Sequence, residues 1–174
     1  HAVLREAHLG ALAPDAISRN AAVSACEKGQ LWERALAALD ELRDRRLEPS
    51  VVTYGAAVAA CRAAADGRRA VALLGEMRSS DVPPNVIAYN AALSACESGA
   101  DWELAVRLLQ DMREQGLEPD VITYNAVMSA CENAGQWEWA LWLLRDMQEH
   151  GLQPDVISYS TAISSCEKGG QWEW

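Results

Sequence analysis

The feature that most constrains the fold of this chain is a motif that returns every 35 residues along the sequence. Its markers keep this step without slippage, at Pro14, Pro49, Pro84, Pro119 and Pro154, at Cys26, Cys61, Cys96, Cys131 and Cys166, and at Tyr54, Tyr89, Tyr124 and Tyr159. A fixed period of this length is typical of small structural units that each bury their apolar face against the next unit. The sequence therefore predicts stacked repeats rather than one central core.

The period also predicts the boundaries of the repeats. We number 35 slots in each copy, starting two residues after each of these prolines, which gives full repeats at 16–50, 51–85, 86–120 and 121–155. Residues 1–15 match the second helix of a partial repeat, and residues 156–174 match the start of another. We expect a single repeat array over residues 1–174, cut from a longer array.

Apolar residues within each copy fall on two stripes. The first occupies slots 1, 4, 7, 8 and 11 and the second occupies slots 17, 20, 21, 24 and 27, both with the period of an α-helix. Glycine lies in the turn between them, and Gly116 and Gly151 follow the second stripe shortly before a proline. These helix pairs predict an all-α fold, a right-handed α-solenoid of stacked helix-turn-helix repeats with about ten helices.

Composition argues against several functional classes. The net charge of −10 repels polyanions and anionic lipids at long range. No apolar run approaches the roughly 20 residues of a membrane span, so none is expected. The cysteines show no metal-ligand spacing and recur on an apolar stripe, which favours small buried hydrophobic residues. No nucleophile–base pair or phosphate loop is recognisable, and we predict no enzyme activity, metal, cofactor or catalytic residue.

The unit PDVITYNAVMSACENAGQWEWALWLLRDMQEHGLQPD resembles the pentatricopeptide repeat in its period, Pro-Asp junction, Tyr-Asn pair and Met-x-x-x-Gly ending. The resemblance covers essentially the whole chain, and the Trp-rich variant is similar to algal organellar members. It implies single-stranded RNA as the partner, read one base per repeat, in the mitochondrion or chloroplast. The expected roles are RNA processing, stability or translation.

The resemblance also implies which residues touch RNA. Slot 5 and slot 35 together form what we call a reading pair, and slot 2 wedges between bases. The reading pairs are Asn20 with Ser50, Gly55 with Asn85, Asn90 with Asp120, and Asn125 with Asp155, while Ser160 lacks its partner in this chain. The wedging residues are Ile17, Val52, Ile87, Ile122 and Ile157. Under the family's code, Asn with Asp implies uracil and Asn with Ser implies a pyrimidine.

Side-chain chemistry supports part of this assignment independently. On a helical wheel, slots 2, 5, 9 and 12 share a face of the first helix that is not its Tyr-Cys face. An Asn amide offers a donor and an acceptor to a base edge, whereas a neighbouring Asp only accepts. Two alternatives remain: the slot-5 Asn residues are ordinary polar residues on an exposed face, and Asp120 and Asp155 cap the next helix. Capping and base reading are compatible for Asp.

The same face carries an acidic row that disfavours RNA. Slot 12 holds Glu27, Glu97, Glu132 and Glu167, interrupted by Arg62. The expected phosphate contacts are Lys28, Arg62 and Lys168. Because phosphate attraction supplies much of nucleic-acid affinity, this balance predicts weak binding. The alternative is that each Glu points to solvent or pairs with a basic residue of a neighbouring copy.

Two tryptophans favour a rival function. Trp139 and Trp142 fall opposite the stripe of the second helix, so they are expected on the convex surface, where aromatic clusters often mark protein interfaces. The alternative is that these rings fold over adjacent second helices. The rival hypothesis is an acidic solenoid that binds a basic or amphipathic segment of a partner protein, and a groove negative along its length would favour it.

Overall fold

The computed structural model describes residues 32–44 and 49–171, which form eight α-helices of 13 residues each. The helices are α1 Trp32–Asp44, α2 Val51–Ala63, α3 Gly67–Ser79, α4 Val86–Ser98, α5 Trp102–Glu114, α6 Val121–Asn133, α7 Trp137–Glu149 and α8 Val156–Lys168. No strand occurs within these two ranges. The other two expected helices fall on residues outside them. The architecture is the predicted all-α solenoid.

The helices form two layers. In the first layer α2, α4, α6 and α8 pack side by side. Of these, α2, α4 and α6 also pack against the second helices before and after them in the chain, and α8 packs against α7. The second helices are splayed, since no Cα atom of α5 lies within 8 Å of one of α7. Because the first helices pack more closely than the second, the first layer forms the concave side of the array.

Each first helix begins at a capping residue in slot 35. The side chains of Ser50, Asn85, Asp120 and Asp155 each accept a hydrogen bond from the backbone N–H three residues later. The second helices α5 and α7 end in turns that contain Gly116 and Gly151 at φ values of 73° and 78°, as the sequence predicts, whereas the turn after α3 has Asp81 at a φ of 55°. Local signals therefore fix both ends of the helix pair.

The predicted apolar stripes are largely confirmed, with differences at slot 1, in α8 and in the width of the buried face. The tyrosines of slot 4 are buried in α2, α4 and α6, whereas Tyr159 and Ile163 of α8 are exposed. The slot-1 valines are partly buried in α4 and α6 and exposed in α2 and α8. Slots 3, 6 and 10, which the stripe omits, are mostly buried, at Thr53, Ala56, Ala60, Ala88, Ala95, Thr123, Ala126, Ala130, Ser158, Thr161 and Ser165. The reason is that a first helix is enclosed by neighbours on three sides, so one stripe underestimates its buried surface.

The cysteines behave as buried apolar residues. Cys61, Cys96, Cys131 and Cys166 are free and buried, and burial raises the pKa of the Cys131 thiol to about 12. A thiol with a raised pKa is a poor nucleophile and metal ligand. The interpretation of slot 11 as a packing position is confirmed for these four residues.

A repeated polar cluster bridges the splayed second helices, and it was not predicted from the sequence. Arg113 on α5 contacts Asp146 on α7 with 2.7 Å between Nη2 and Oδ2, and the Tyr124 hydroxyl donates to the same oxygen at 2.7 Å. Arg113 also donates to the Tyr124 hydroxyl. One copy earlier, Asp111 accepts from Arg78 at 2.9 Å and from Tyr89 at 2.6 Å. The cluster links the second helices of successive repeats, both α3 to α5 and α5 to α7, and the Cα atoms of α5 and α7 all lie more than 8 Å apart.

This cluster makes stability sensitive to acid. Burial acts to raise the pKa of Asp146, but hydrogen bonds from Tyr124 and Arg113 outweigh this effect, so the pKa is lowered. The pKa of Asp111 is lowered in the same way, because bonds from Arg78 and Tyr89 outweigh its burial. A lowered pKa in the folded state adds stability above the unfolded pKa, and this stability is lost as pH falls through the folded pKa.

We therefore expect the Tm, followed by circular dichroism, to fall progressively below about pH 5. A variant with Asp111→Asn and Asp146→Asn should have a lower Tm at neutral pH but lose less of it on acidification. An identical acid-induced loss of Tm in the variant and the parent would contradict this assignment.

Candidate nucleic-acid interface

A partly exposed strip runs along the concave side of the array. It consists of the residues at slots 2, 5, 9 and 12 of α2, α4, α6 and α8, and we call it the concave strip. Its slot-2 members are aliphatic and between 56% and 76% exposed, at Val52, Ile87, Ile122 and Ile157. Ile17 lies outside the described residues. Large apolar side chains exposed once per repeat on a helix face are costly in water and typical of a binding surface.

The structure brings two of the predicted reading pairs into hydrogen-bond contact. Asn90 Nδ2 lies 3.4 Å from Asp120 Oδ1, and Asn125 Nδ2 lies 3.1 Å from Asp155 Oδ1. Each pair thus joins the first helix of one repeat to the N-terminus of the first helix of the following repeat. The amide and the carboxylate form one unit at the edge of the concave strip.

The other reading pairs differ from these two. Gly55 has no side chain with which to reach Asn85, and Ser160 donates to the carbonyl of Ile157 at 3.0 Å. Asn20 lies outside the described residues, so the geometry of its pair with Ser50 is not described. Two of the pairs that the sequence predicts are therefore seen as bonded pairs.

The carboxylates of the reading pairs also cap helices, as the alternative interpretation held. Asp120 Oδ1 accepts from the Thr123 backbone N–H at 2.8 Å, and Asp155 Oδ1 accepts from Ser158 at 2.9 Å. Burial acts to raise the pKa of Asp120, but bonds from Thr123 and Asn90 lower it overall, and the backbone N–H of Ser158 lowers the pKa of Asp155. Both side chains are therefore anionic acceptors at neutral pH.

Buried hydroxyls complete each bonded reading pair, and the sequence did not reveal them. Thr123 Oγ1 lies 2.7 Å from Asn90 Oδ1, and Ser158 Oγ lies 2.6 Å from Asn125 Oδ1. With these bonds Asn125 is only 8% exposed, so the interpretation of slot 5 as an ordinary exposed polar residue is wrong at this position. Each amide keeps one N–H and one acceptor lone pair that no bond within the pair uses.

The acidic row of the concave strip is partly neutralised between copies. Glu132 Oε1 accepts from Lys168 Nζ of the next copy at 2.9 Å and from Ser164 Oγ at 2.6 Å. The expected phosphate contact Lys168 is thus engaged by a carboxylate, as the alternative for slot 12 held. Burial raises the pKa of half-buried Glu97, an effect that the charge of Arg62 opposes.

The remaining charges at this edge are less engaged. Arg62 and Glu167 are exposed. Glu27 and Lys28 lie outside the described residues. Slots 12 and 13 of the described first helices carry two cations, Arg62 and Lys168. The same slots carry three carboxylates, those of Glu97, Glu132 and Glu167. The strip is close to neutral at this edge, with a slight excess of negative charge.

The convex tryptophans form a contiguous group of tilted and edge-to-face rings rather than two separate exposed rings. The ring centroid of Trp139 lies 5.7 Å from that of Trp102 on α5 and 5.6 Å from that of Trp142. Trp139 therefore folds over the adjacent second helix, whereas Trp142 is 49% exposed. The splayed helices leave a cleft of about 550 Å³ lined by Val106, Leu109, Gln110, Arg113, Glu138, Trp139 and Trp142.

No group of three or more His, Cys, Asp or Glu side chains within residues 32–44 and 49–171 could hold a metal ion. None of the helices described there is long and apolar enough to cross a membrane.

The fold and the strip together define a helical-repeat solenoid that presents an exposed aliphatic residue once per described first helix, with a slot-5 amide beside it in α4 and α6. The family model of the pentatricopeptide repeat domain matches residues 12–98 and 107–168, and a PPR repeat model matches residues 87–117. The chain belongs to the pentatricopeptide repeat family.

Solved structures of this family are similar to the chain. A crystal structure of PPR10 in complex with an 18-nt psaJ RNA element is 29% identical, with a TM-score of 0.76 over 94% of this chain and 24% of that chain. PPR10 from maize is 31% identical, with a TM-score of 0.73 over 96% of this chain and 24% of that chain. The present chain therefore spans about a quarter of PPR10.

A more distant structure shares the fold alone. The PPR domain of Arabidopsis thaliana protein-only RNase P 1, solved in complex with tRNA, is 17% identical, with a TM-score of 0.74 over 92% of this chain and 88% of that chain. No curated protein matches the sequence.

Proposed function

We propose that this chain binds single-stranded RNA along the concave strip, one base per repeat. The observation that carries the proposal is the pair of bonded Asn–Asp units, Asn90 with Asp120 and Asn125 with Asp155, beside an exposed aliphatic row. Membership of the family and the likeness to PPR10, which was solved with an RNA element, support it. We place this function in mitochondrial or chloroplast RNA processing, stability or translation, with catalysis left to other domains or proteins.

The chemistry of the strip suits bases better than phosphates. A base that inserts between the slot-2 residues of successive repeats, such as Ile87 and Ile122, removes apolar surface from water. The edge of the base then meets the unused N–H and acceptor of the slot-5 amide. Uracil offers a donor between two acceptors, so it can accept from and donate to the same amide.

The charge balance predicts a weak dependence of affinity on salt. Each phosphate neutralised on a single strand contributes a slope of about −0.7 in a plot of log K against log salt concentration. With Lys28, Arg62 and Lys168 as the expected contacts, the slope should not exceed about −2 in magnitude. Titrations at several salt concentrations measure it, and a slope several times steeper would place the RNA on a more basic surface.

The proposal is tested by titration at low salt. A fluorescent oligonucleotide with two uracils opposite Asn90 and Asn125 is compared with a scrambled oligonucleotide of the same composition. We expect at least about tenfold tighter binding of the matched oligonucleotide, the value of one well-formed polar contact. Equal, millimolar-range affinity for both would overturn sequence-specific recognition.

The cleft between α5 and α7 favours a second candidate function. Its apolar wall of Val106, Leu109 and Trp142 carries Glu138 at its edge, on a chain of net charge −10. This combination fits a basic amphipathic segment of a partner protein, which would bury Trp142. A synthetic Lys/Leu amphipathic peptide should shift the tryptophan emission of the parent and not of a Trp142→Ser variant. The same response in both proteins would exclude this cleft as the docking site.

A further inference from the structure

A buried hydroxyl from the next repeat contacts each Asn of the bonded reading pairs. The hydroxyls belong to Thr123 and Ser158 in slot 3, and both residues are fully buried. Their oxygens lie 2.7 Å and 2.6 Å from the amide oxygens of Asn90 and Asn125. In each case a buried slot-3 hydroxyl therefore contacts the slot-5 amide of the concave strip.

Both hydroxyls also belong to capping boxes, since Thr123 and Ser158 accept from the backbone N–H of Asp120 and Asp155 at 3.2 Å. Capping does not require them, however, and it does not explain their contact with the amide. In α4 slot 3 is Ala88, and Asn85 still caps the helix by accepting from the Ala88 backbone N–H at 3.0 Å. The preceding repeat carries Gly55 in slot 5, so no amide is present there for a hydroxyl to contact. In the sequence a slot-3 hydroxyl follows every slot-5 Asn, with Thr53 after Asn20, and is missing only where slot 5 is Gly.

The three side chains fix the orientation of the amide. Asp120 Oδ1 accepts from Asn90 Nδ2, while Thr123 Oγ1 lies 2.7 Å from both Asn90 Oδ1 and Asp120 Oδ1. The single hydroxyl proton can be donated to either of these two oxygens. A flipped amide would place its oxygen against the anionic carboxylate, and it would donate to the hydroxyl oxygen instead of accepting from it. Only the observed orientation keeps the amide oxygen away from the carboxylate, and in it the hydroxyl can donate to that oxygen.

Orientation matters because uracil and cytosine differ by exchange of donor and acceptor along the same edge. At positions 3 and 4 uracil presents a donor and then an acceptor, whereas cytosine presents an acceptor and then a donor. For one base pose, a flipped amide would exchange the two preferences. The contacts that fix the orientation of the amide therefore determine which pyrimidine binds more tightly.

We propose that the slot-3 hydroxyls of Thr123 and Ser158 are positioning residues that set uracil over cytosine at Asn90 and Asn125. They act through the amide and do not touch the RNA. The inference rests on the proposed RNA-binding function. It adds a third residue to each reading pair, supplied by the repeat that follows.

The test uses the whole chain with Thr123→Val and Ser158→Ala, and oligonucleotides with two uracils or two cytosines opposite Asn90 and Asn125. The ratio of the two affinities does not depend on the fraction of folded protein. We expect the parent to prefer uracil and the variant to lose about tenfold of that preference, the value of a lost polar contact. A Thr123→Ser control, which keeps the hydroxyl, should retain the preference.

The outcomes separate the two claims. A parent without any uracil preference would overturn the proposed base reading itself. A parent that prefers uracil, with a variant that keeps the full ratio, would overturn the role of the hydroxyls alone. Melting curves of both proteins check that the variant is folded.

A gain-of-function variant makes the inference testable even where the hydroxyl-deletion variant fails to fold. Gly55 has no atom within 4 Å of an added Cβ, so an asparagine side chain has room to begin there. We expect Gly55→Asn with Asn85→Asp and Ala88→Ser to gain a uracil preference at this repeat. The same variant without Ala88→Ser should gain at most a small part of it. Equal gains in the two variants would overturn the inference.

Discussion

Replacing Asp146 by alanine is expected to lower the free energy of unfolding by about 3 kcal/mol. Asp146 accepts from Arg113 and Tyr124 between two second helices that have no close backbone contact, and its side chain is only 10% exposed. Removing the carboxylate leaves the Arg113 charge and the Tyr124 hydroxyl without this partner in a partly buried site. Urea denaturation followed by circular dichroism measures the loss.

A matched control is available on the same helix. Arg145 and Glu149 form an ion pair at 2.8 Å whose side chains are mostly exposed. Exposed pairs contribute about 0–0.5 kcal/mol, so Glu149→Ala should change the free energy of unfolding little. If Asp146→Ala lowered the free energy of unfolding no more than Glu149→Ala does, the cluster would not stabilise the contact between the second helices.

The second large effect is expected on RNA affinity. A variant with Asn90→Ala and Asn125→Ala should bind the oligonucleotide with two uracils about 100-fold more weakly, since each amide contributes roughly tenfold through its polar contacts. Fluorescence anisotropy at low salt measures the loss. Gln110→Ala is the matched control, because this amide is exposed on the second helix α5, away from the concave strip.

Stability has to be measured beside affinity in this experiment. Asn125→Ala leaves Ser158 without one of its partners, so some loss of Tm is expected in the variant. The comparison is therefore made at a temperature where both proteins are folded. Unchanged affinity in the folded variant would contradict base reading by these amides.

The periodic part of the structure was predictable from the sequence. The stripes at slots 1–11 and 17–27 predict the two helices of each copy, and Val121–Asn133 and Trp137–Glu149 cover those slots in their copy. The extent of the buried surface of the first helices was not predictable. A helical wheel shows the stripe that packs against one neighbouring helix, whereas a first helix packs against several. Thr123 in slot 3 is fully buried for this reason.

Pairwise contacts between repeats were harder to predict than the fold. The Arg113, Tyr124 and Asp146 cluster depends on residues from two copies, and only the recurrence of Arg at slot 28 and of Asp at slot 26 indicates it. The pairing of Asn125 with Asp155 was expected from the family resemblance, and the structure shows the bond. The bond from the Ser158 hydroxyl was not predicted, and its signal in the sequence is the slot-3 hydroxyl that follows each slot-5 Asn. Predicting such contacts requires knowledge of how each repeat is placed relative to the next.

The most direct test of the central claim is to change the carboxylates of the bonded reading pairs and measure which base is preferred. A variant with Asp120→Ser and Asp155→Ser removes the anion that holds each amide, while serine still caps the helix, as Ser50 does for α2. Affinities are measured for oligonucleotides with two uracils and with two cytosines opposite Asn90 and Asn125. The account predicts that the parent prefers uracil and that the variant moves its preference toward cytosine. The same preference in both proteins, or none in either, would contradict it.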